Sequence, residues 1–100
     1  MMRWAQGVVV QELLNGLRNR NRRRILKLAI EQEAPLSPSM ASQKLPASLS
    51  TTGKHFRVLA DVGLLTLVAE IPNRGATEHL YVPVEDLVNH PIVQAVLTCM

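Results

Sequence analysis

One hundred residues, 47% hydrophobic and 19% charged, supply material for one small core and exclude a disordered chain. Three aromatics (Trp4, Phe56, Tyr81) leave that core to Leu, Val, Ile and Ala, and no apolar run nears the ~20 residues of a membrane-spanning helix. The net charge of +3 is uneven: Arg18, Arg20, Arg22, Arg23, Arg24 and Lys27 crowd into ten residues, whereas beyond Ile71 the only Lys or Arg is Arg74.

Such asymmetry suits an anionic polymer on one side of the fold, or else a solubilising surface. The opening MMRWAQGVVVQELL carries no small-residue cleavage site, so the expected location is cytoplasmic, with no membrane partner. The single cysteine, Cys99, has no internal disulfide partner, and no CxxC or Cys/His cluster is present to hold zinc.

Along the chain, residues 3–18 predict a first helix, with Val9, Val10, Leu13, Leu14 and Leu17 on one apolar stripe and Asn15-Gly16 as an early stop. Residues 20–33 predict a second helix, apolar around much of its circumference through Ile25, Leu26, Leu28, Ala29 and Ile30, and therefore central. Ala34-Pro35 stops it. A third helix starts with Ser37 as N-cap and Pro38 at its first position, and runs to about Leu45, where Pro46 closes it.

Ser48 or Ser50 then caps a helix that ends near Val62, with Gly63 where a left-handed conformation is needed. Leu49, Thr52, Phe56 and Leu59 share its core face. Ser50, Thr51, Lys54, Arg57 and Asp61 fall mainly on the others, open to a partner. Residues 64–71 and 78–84 are β-prone and flank a turn at 72–77, which predicts an antiparallel hairpin with Arg74 at its tip. The tail from residue 84 holds two short helical patches divided around Asn89-His90-Pro91. Its Leu87, Val88, Ile92, Val93, Val96 and Leu97 require the core or a second subunit. A short helix, a turn, a second helix and a hairpin are the order that holds one helix in a DNA major groove with a ribbon beside it.

The residues that carry this order resemble a known family. Arg22-Arg23-Arg24-Ile25-Leu26, then Ser48 to Leu59 (SLSTTGKHFRVL), Gly63-Leu64-Leu65, Arg74-Gly75 and Leu80-Tyr81 are similar in order and spacing to the ArsR-type winged helix-turn-helix repressors, over roughly residues 17–83. The resemblance implies a mainly α fold with a β-hairpin wing (α+β). One domain would span 1–100: an N-terminal helix (1–18), a helical core with the helix-turn-helix (20–62), the wing (64–84) and a helical tail (85–100). It places base-reading groups at Ser50, Thr51 and Lys54, and implies a homodimer joined through the first and last helices.

Arg57 adds a phosphate or guanine contact and Arg74 a minor-groove or phosphate contact, each against the alternative of a solvated surface residue. His55 completes the expected DNA-facing set, with packing or hydrogen bonding as its other role. Ser50 and Thr51 also suit helix capping. Gly53 departs from the family's usual serine at a cost of about 1 kcal/mol of helix stability relative to alanine, and Thr52 stands where an aliphatic is usual. In the helix before the turn, Met40-Ala41 and Ala41-Ser42 compete for the usual Leu-Ala pair.

The Cys-rich metal motif of many family members is absent, and His55, His79 and His90 lack ligand-spaced partners, so no metal or other cofactor is expected. No enzyme constellation appears either: there is no nucleophile elbow, P-loop or paired-carboxylate setting. The expected function is therefore a sequence-specific, dimeric DNA-binding repressor of transcription that works by steric occlusion. The alternatives are a winged-helix protein-interaction module and a nonspecific architectural DNA-binder.

Overall fold

The computed structural model describes residues 7–99, with the side chains of residues 7–10, 12 and 87 outside that description. The expected Trp4 segment lies outside the described residues, as do the side chains of the stripe positions Val9, Val10 and Leu87. The chain is a small α+β fold. Its order is α1 (Gly7–Gly16), α2 (Arg20–Gln32), α3 (Pro38–Ser42), α4 (Leu49–Asp61), β1 (Leu65–Asn73), β2 (Ala76–Pro83), α5 (Glu85–Val88) and α6 (Pro91–Thr98).

α1 stops at Gly16, two residues before the expected limit of the first helix. A Cβ at Gly16 would lie 2.8 Å from Val62 Cγ2, so glycine lets the end of α1 meet the end of α4. Asn19 opens α2, its Oδ1 accepting from the amides of Asn21 and Arg22 at 2.8 and 3.2 Å. Two members of the arginine run reach back to carbonyls at and just beyond the end of α1. Arg22 donates to Gly16 O (2.7 Å) and Asn15 O (3.2 Å), and Arg23 to Leu17 O (2.7 Å) and Arg18 O (3.0 Å). Cations at a helix C-terminus satisfy orphan acceptors and oppose the helix dipole.

α3 begins as the sequence predicts, with Ser37 Oγ accepting from Met40 N and Pro38 in the first turn. It ends at Ser42, three residues short of the expected Leu45. Ser42 Oγ bonds back to Ser39 O at 3.0 Å and Lys44 N closes a tighter turn on Ala41 O at 2.9 Å. These local bonds end the helix before Pro46 can.

Ser48, not Ser50, caps α4, accepting from Thr51 N at 3.1 Å. At the other end Gly63 adopts φ 87°, Leu64 N bonds to Leu59 O (2.9 Å) and Gly63 N to Ala60 O (3.1 Å). This is a Schellman closure, and its hydrophobic partners, Leu59 and Leu64, are both fully buried. Leu49 breaks the expected pattern: it is 54% exposed rather than part of the core face. As the first helical residue it projects beyond the end of the core, where helical period no longer implies burial.

β1 and β2 pair antiparallel from Leu65↔Pro83 to Asn73↔Ala76, with a bulge between Leu67 and Ala69. The expected six-residue turn at 72–77 shrinks to Arg74 and Gly75, with φ 54° and 84°. Two positive φ values in a two-residue loop are the type I′ geometry, whose twist matches the strands and lets pairing run to the tip. Pro72 is tolerated because β1 is an edge strand. A further pairing was not foreseen: Leu36 and Tyr81 exchange two backbone hydrogen bonds of 2.9 Å, adding a one-residue stub to the sheet beside β2.

The core gathers Leu13 and Leu17 of α1, Ile25, Leu26 and Ala29 of α2, Phe56 and Leu59 of α4, and Leu64, Leu65 and Tyr81 around the hairpin root. The Phe56 and Tyr81 rings meet at 5.1 Å and 50°. The tail joins this core through Val88, Val93 and Leu97. His90 caps α6, its Nδ1 accepting from Ile92 N at 3.0 Å, with Pro91 in the first turn.

Candidate functional site

α4 carries a set of exposed polar and cationic side chains aimed away from the core. Thr52, Phe56 and Leu59 are fully buried on one side. Ser50, Lys54 and Arg57, followed by Asp61, are all exposed at i, i+4, i+7 and i+11, a single stripe on the opposite side. The helix is held at both ends, by the Ser48 cap and the Gly63 closure. Its first turn contains no acid, so the partial positive charge of the helix end is unopposed.

Thr51 is exposed but committed in part. Its amide donates to Ser48 Oγ, and the two hydroxyls lie 3.1 Å apart, with Ser48 Oγ donating to Thr51 Oγ1. One Thr51 acceptor is thus turned toward the cap, whereas Ser50, one residue earlier, begins the exposed stripe. His55 lies on the flank of α4, half-buried. Burial first, and then the Arg22 guanidinium, lower its pKa, so the imidazole is held neutral. Arg22 therefore links the end of α1, the start of α2 and the flank of α4.

Arg57 lies close enough to Tyr81 to be felt electrostatically. Burial raises the phenol's pKa, the Arg57 guanidinium partly offsets this, and Glu70 and Asp61 reinforce the rise. Arg74 is exposed at the far end of nine-residue β1, roughly 30 Å of strand from the root. Ser50, Lys54 and Arg57 share one face; Arg74 stands apart from them. The hairpin is tied back to α3 by Ser39 Oγ donating to Glu78 Oε1 at 3.2 Å. His79 and Glu70 pair across the strands at 3.1 Å, an exposed contact of little energetic weight.

One feature of α4 carried no signal in the sequence pattern. Leu49 presents an apolar group beside Ser50 at the helix start, and only its place at the first helical position could have marked it. Gly53 has nothing within 4 Å of where a Cβ would stand, so the helix surface there is open to close approach.

Among the described residues no group of three His, Cys, Asp or Glu side chains could hold a metal ion, and no helix is long and apolar enough to cross a membrane. Cys99 is free and exposed. The site's chemistry is hydrogen-bond donation and positive charge on a helix held at both ends. In comparisons with known proteins, no family model and no curated protein sequence matches this chain.

Proposed function

We propose that the chain is a cytoplasmic winged helix-turn-helix regulator of the ArsR type, with α3 and α4 as the helix-turn-helix and β1–β2 as the wing. α4 enters the major groove of double-stranded DNA. Ser50, Thr51 and Lys54 address base edges, Arg57 reaches phosphate or guanine acceptors, and the wing carries Arg74 to the neighbouring backbone or minor groove. Leu49, exposed at the helix start, meets a thymine methyl. His55 positions the helix flank rather than donating charge, because its imidazole is neutral. The observation that supports this reading best is the Ser50–Lys54–Arg57 stripe, set opposite a fully buried face on a helix fixed at both ends.

A second copy joins through α1 and α6, so that two α4 helices meet half-sites about one helical turn apart, roughly 34–36 Å. Occupancy of such a site blocks polymerase, which makes the protein a repressor. Affinity comes largely from released counterions, and log K falls with log salt by about 0.9 per phosphate neutralised.

Selection from a random duplex pool, followed by mobility shifts with the wild type, Ser50→Ala and Lys54→Ala, tests the reading. Each loss should cost about 1–3 kcal/mol and relax preference at the base it addresses. Unchanged affinity and preference in both variants would refute the assignment of α4. Absence of binding to any duplex at micromolar protein would instead favour a protein-interaction module, and binding without preference an architectural role.

A further inference from the structure

A second recognition surface lies away from α4. A groove of about 1090 Å³ runs between α1, α2 and α6, closed at one side by residues 44–45, and α4 contributes nothing to its lining. Its rim holds Arg18, Arg20, Arg23, Arg24, Lys27 and Lys44 against one carboxylate, Glu31. Among the described side chains the one ion pair is His79–Glu70, so none of the described carboxylates is matched to these cations. Arg23 spends its guanidinium on the carbonyls of Leu17 and Arg18, which leaves five cations for a ligand.

The floor is apolar. Leu17 is buried at its base, Leu28, Leu45 and Val96 are half-buried, and Leu14 stands 39% exposed at the side. The volume matches the upper end of small-molecule sites, roughly 300–1,000 Å³. An occupant must therefore offer an anionic head and an apolar body together. A nucleic-acid backbone would answer the cations and leave the leucines uncovered. A bilayer is flat, whereas these apolar groups are recessed. A second copy docked into the groove itself about a two-fold axis would set the same cations against each other, so the partner proposed above meets α1 and α6 on their faces outside the groove.

We propose that the α1–α2–α6 groove binds a single-chain anionic amphiphile, a long-chain fatty acylate, with its alkyl chain along Leu17, Leu28, Leu45 and Val96 and its carboxylate among Arg20, Arg24 and Lys27. Arginine suits the head because its planar fork meets a carboxylate with two parallel hydrogen bonds. This site does not depend on the DNA-binding reading.

Titration calorimetry with monomeric dodecanoate and decanoate tests it on the intact chain, and Cys99, the single cysteine and a lining residue, reports occupancy through its rate of alkylation by iodoacetamide. Dodecanoate should bind and slow Cys99 alkylation, with each methylene worth about fourfold in affinity, so that decanoate binds roughly fourteenfold more weakly. Dodecyltrimethylammonium, with the same chain and the opposite charge, should leave the alkylation rate unchanged. Arg20→Glu and Lys27→Glu, both exposed positions, should each weaken dodecanoate at least tenfold while circular dichroism stays unaltered.

Equal binding of the cationic amphiphile, indifference to both charge reversals, or no binding of dodecanoate overturns the proposal. So does protection of Cys99 by phosphatidylglycerol vesicles, by a random duplex or by raised protein concentration in cases where monomeric dodecanoate gives none.

Discussion

Replacing Thr52 with valine should stabilise the protein. Thr52 is fully buried on the core face of α4, and its Oγ1 has no hydrogen-bond partner. A buried hydroxyl left unpaired costs about 1–3 kcal/mol by protein mutational measures. Valine has nearly the same shape, is β-branched like threonine, and adds a methyl where the hydroxyl stood. No cavity opposes the gain, and we expect about 1–2 kcal/mol. For a domain of this size each kcal/mol moves Tm by about 4–8 °C. Thermal unfolding followed by circular dichroism, with urea titration to confirm an unchanged m value, measures it. Thr52→Ser is the counter-test: it keeps the hydroxyl and deletes the methyl, so Tm should fall. An unchanged or lower Tm for Thr52→Val would mean that the hydroxyl is satisfied, and the argument from its burial would fail.

Gly53→Ala should raise stability by about 1 kcal/mol, because a Cβ there meets open space and the helix interior loses its least favourable residue; a lower urea midpoint would contradict this. If α4 meets DNA as proposed, the same methyl narrows the approach, and the mobility-shift affinity should fall as stability rises. Arg74→Asn replaces a long side chain held at φ 54° with the residue a type I′ turn favours, stabilising by about 0.5–1 kcal/mol in thermal melts. Under the proposed function it should also reduce the salt slope of binding by about one unit, since one phosphate contact is lost. His55, held neutral with its pKa below the ordinary 6.5, makes the unfolded chain the better proton acceptor. Its contribution to stability is therefore fully present above pH 6.5 and is lost as the pH falls through the folded-state value. In urea titrations across that window the midpoint should drop with acidification, and His55→Gln should drop less.

Elements whose cause is local were legible in the sequence. Ser37-Pro38 marks a helix start and Gly63 a helix stop whatever surrounds them, because both act through the backbone of neighbouring residues. The hairpin was legible for the same reason, although the turn-forming cluster at 72–77 overstates the loop: Pro72 and Thr77 pair with each other, because an edge strand accepts proline. Where the cause is remote the sequence was silent. Nothing in the spacing of Leu36 and Tyr81, 45 positions apart, announces their pairing. The arginine run showed charge but not direction; only the fold turns Arg22, and Arg23 on the groove's rim, to the carbonyls of residues 15–18 and lines the groove with Arg18, Arg20, Arg24 and Lys27. On α4, period alone placed Thr52, Phe56 and Leu59 inside and the Ser50–Lys54–Arg57 stripe outside. It misplaced Leu49 because a helix end outruns the core beneath it.

The pairing of Leu36 with Tyr81 has a mechanical consequence. A lone two-stranded ribbon is marginal in water; this one is held at its root by Leu65 and Tyr81 in the core, by the Ser39–Glu78 hydrogen bond and by this backbone crosslink on its inner border. Leu36 immediately precedes the cap of α3, and Tyr81 stacks on Phe56 of α4, so the crosslink grips both helices at once. A force applied at the distal tip is thereby transmitted as torque to the segment that orients α3 and α4, and the ribbon cannot tilt without tugging on the helix pair it accompanies.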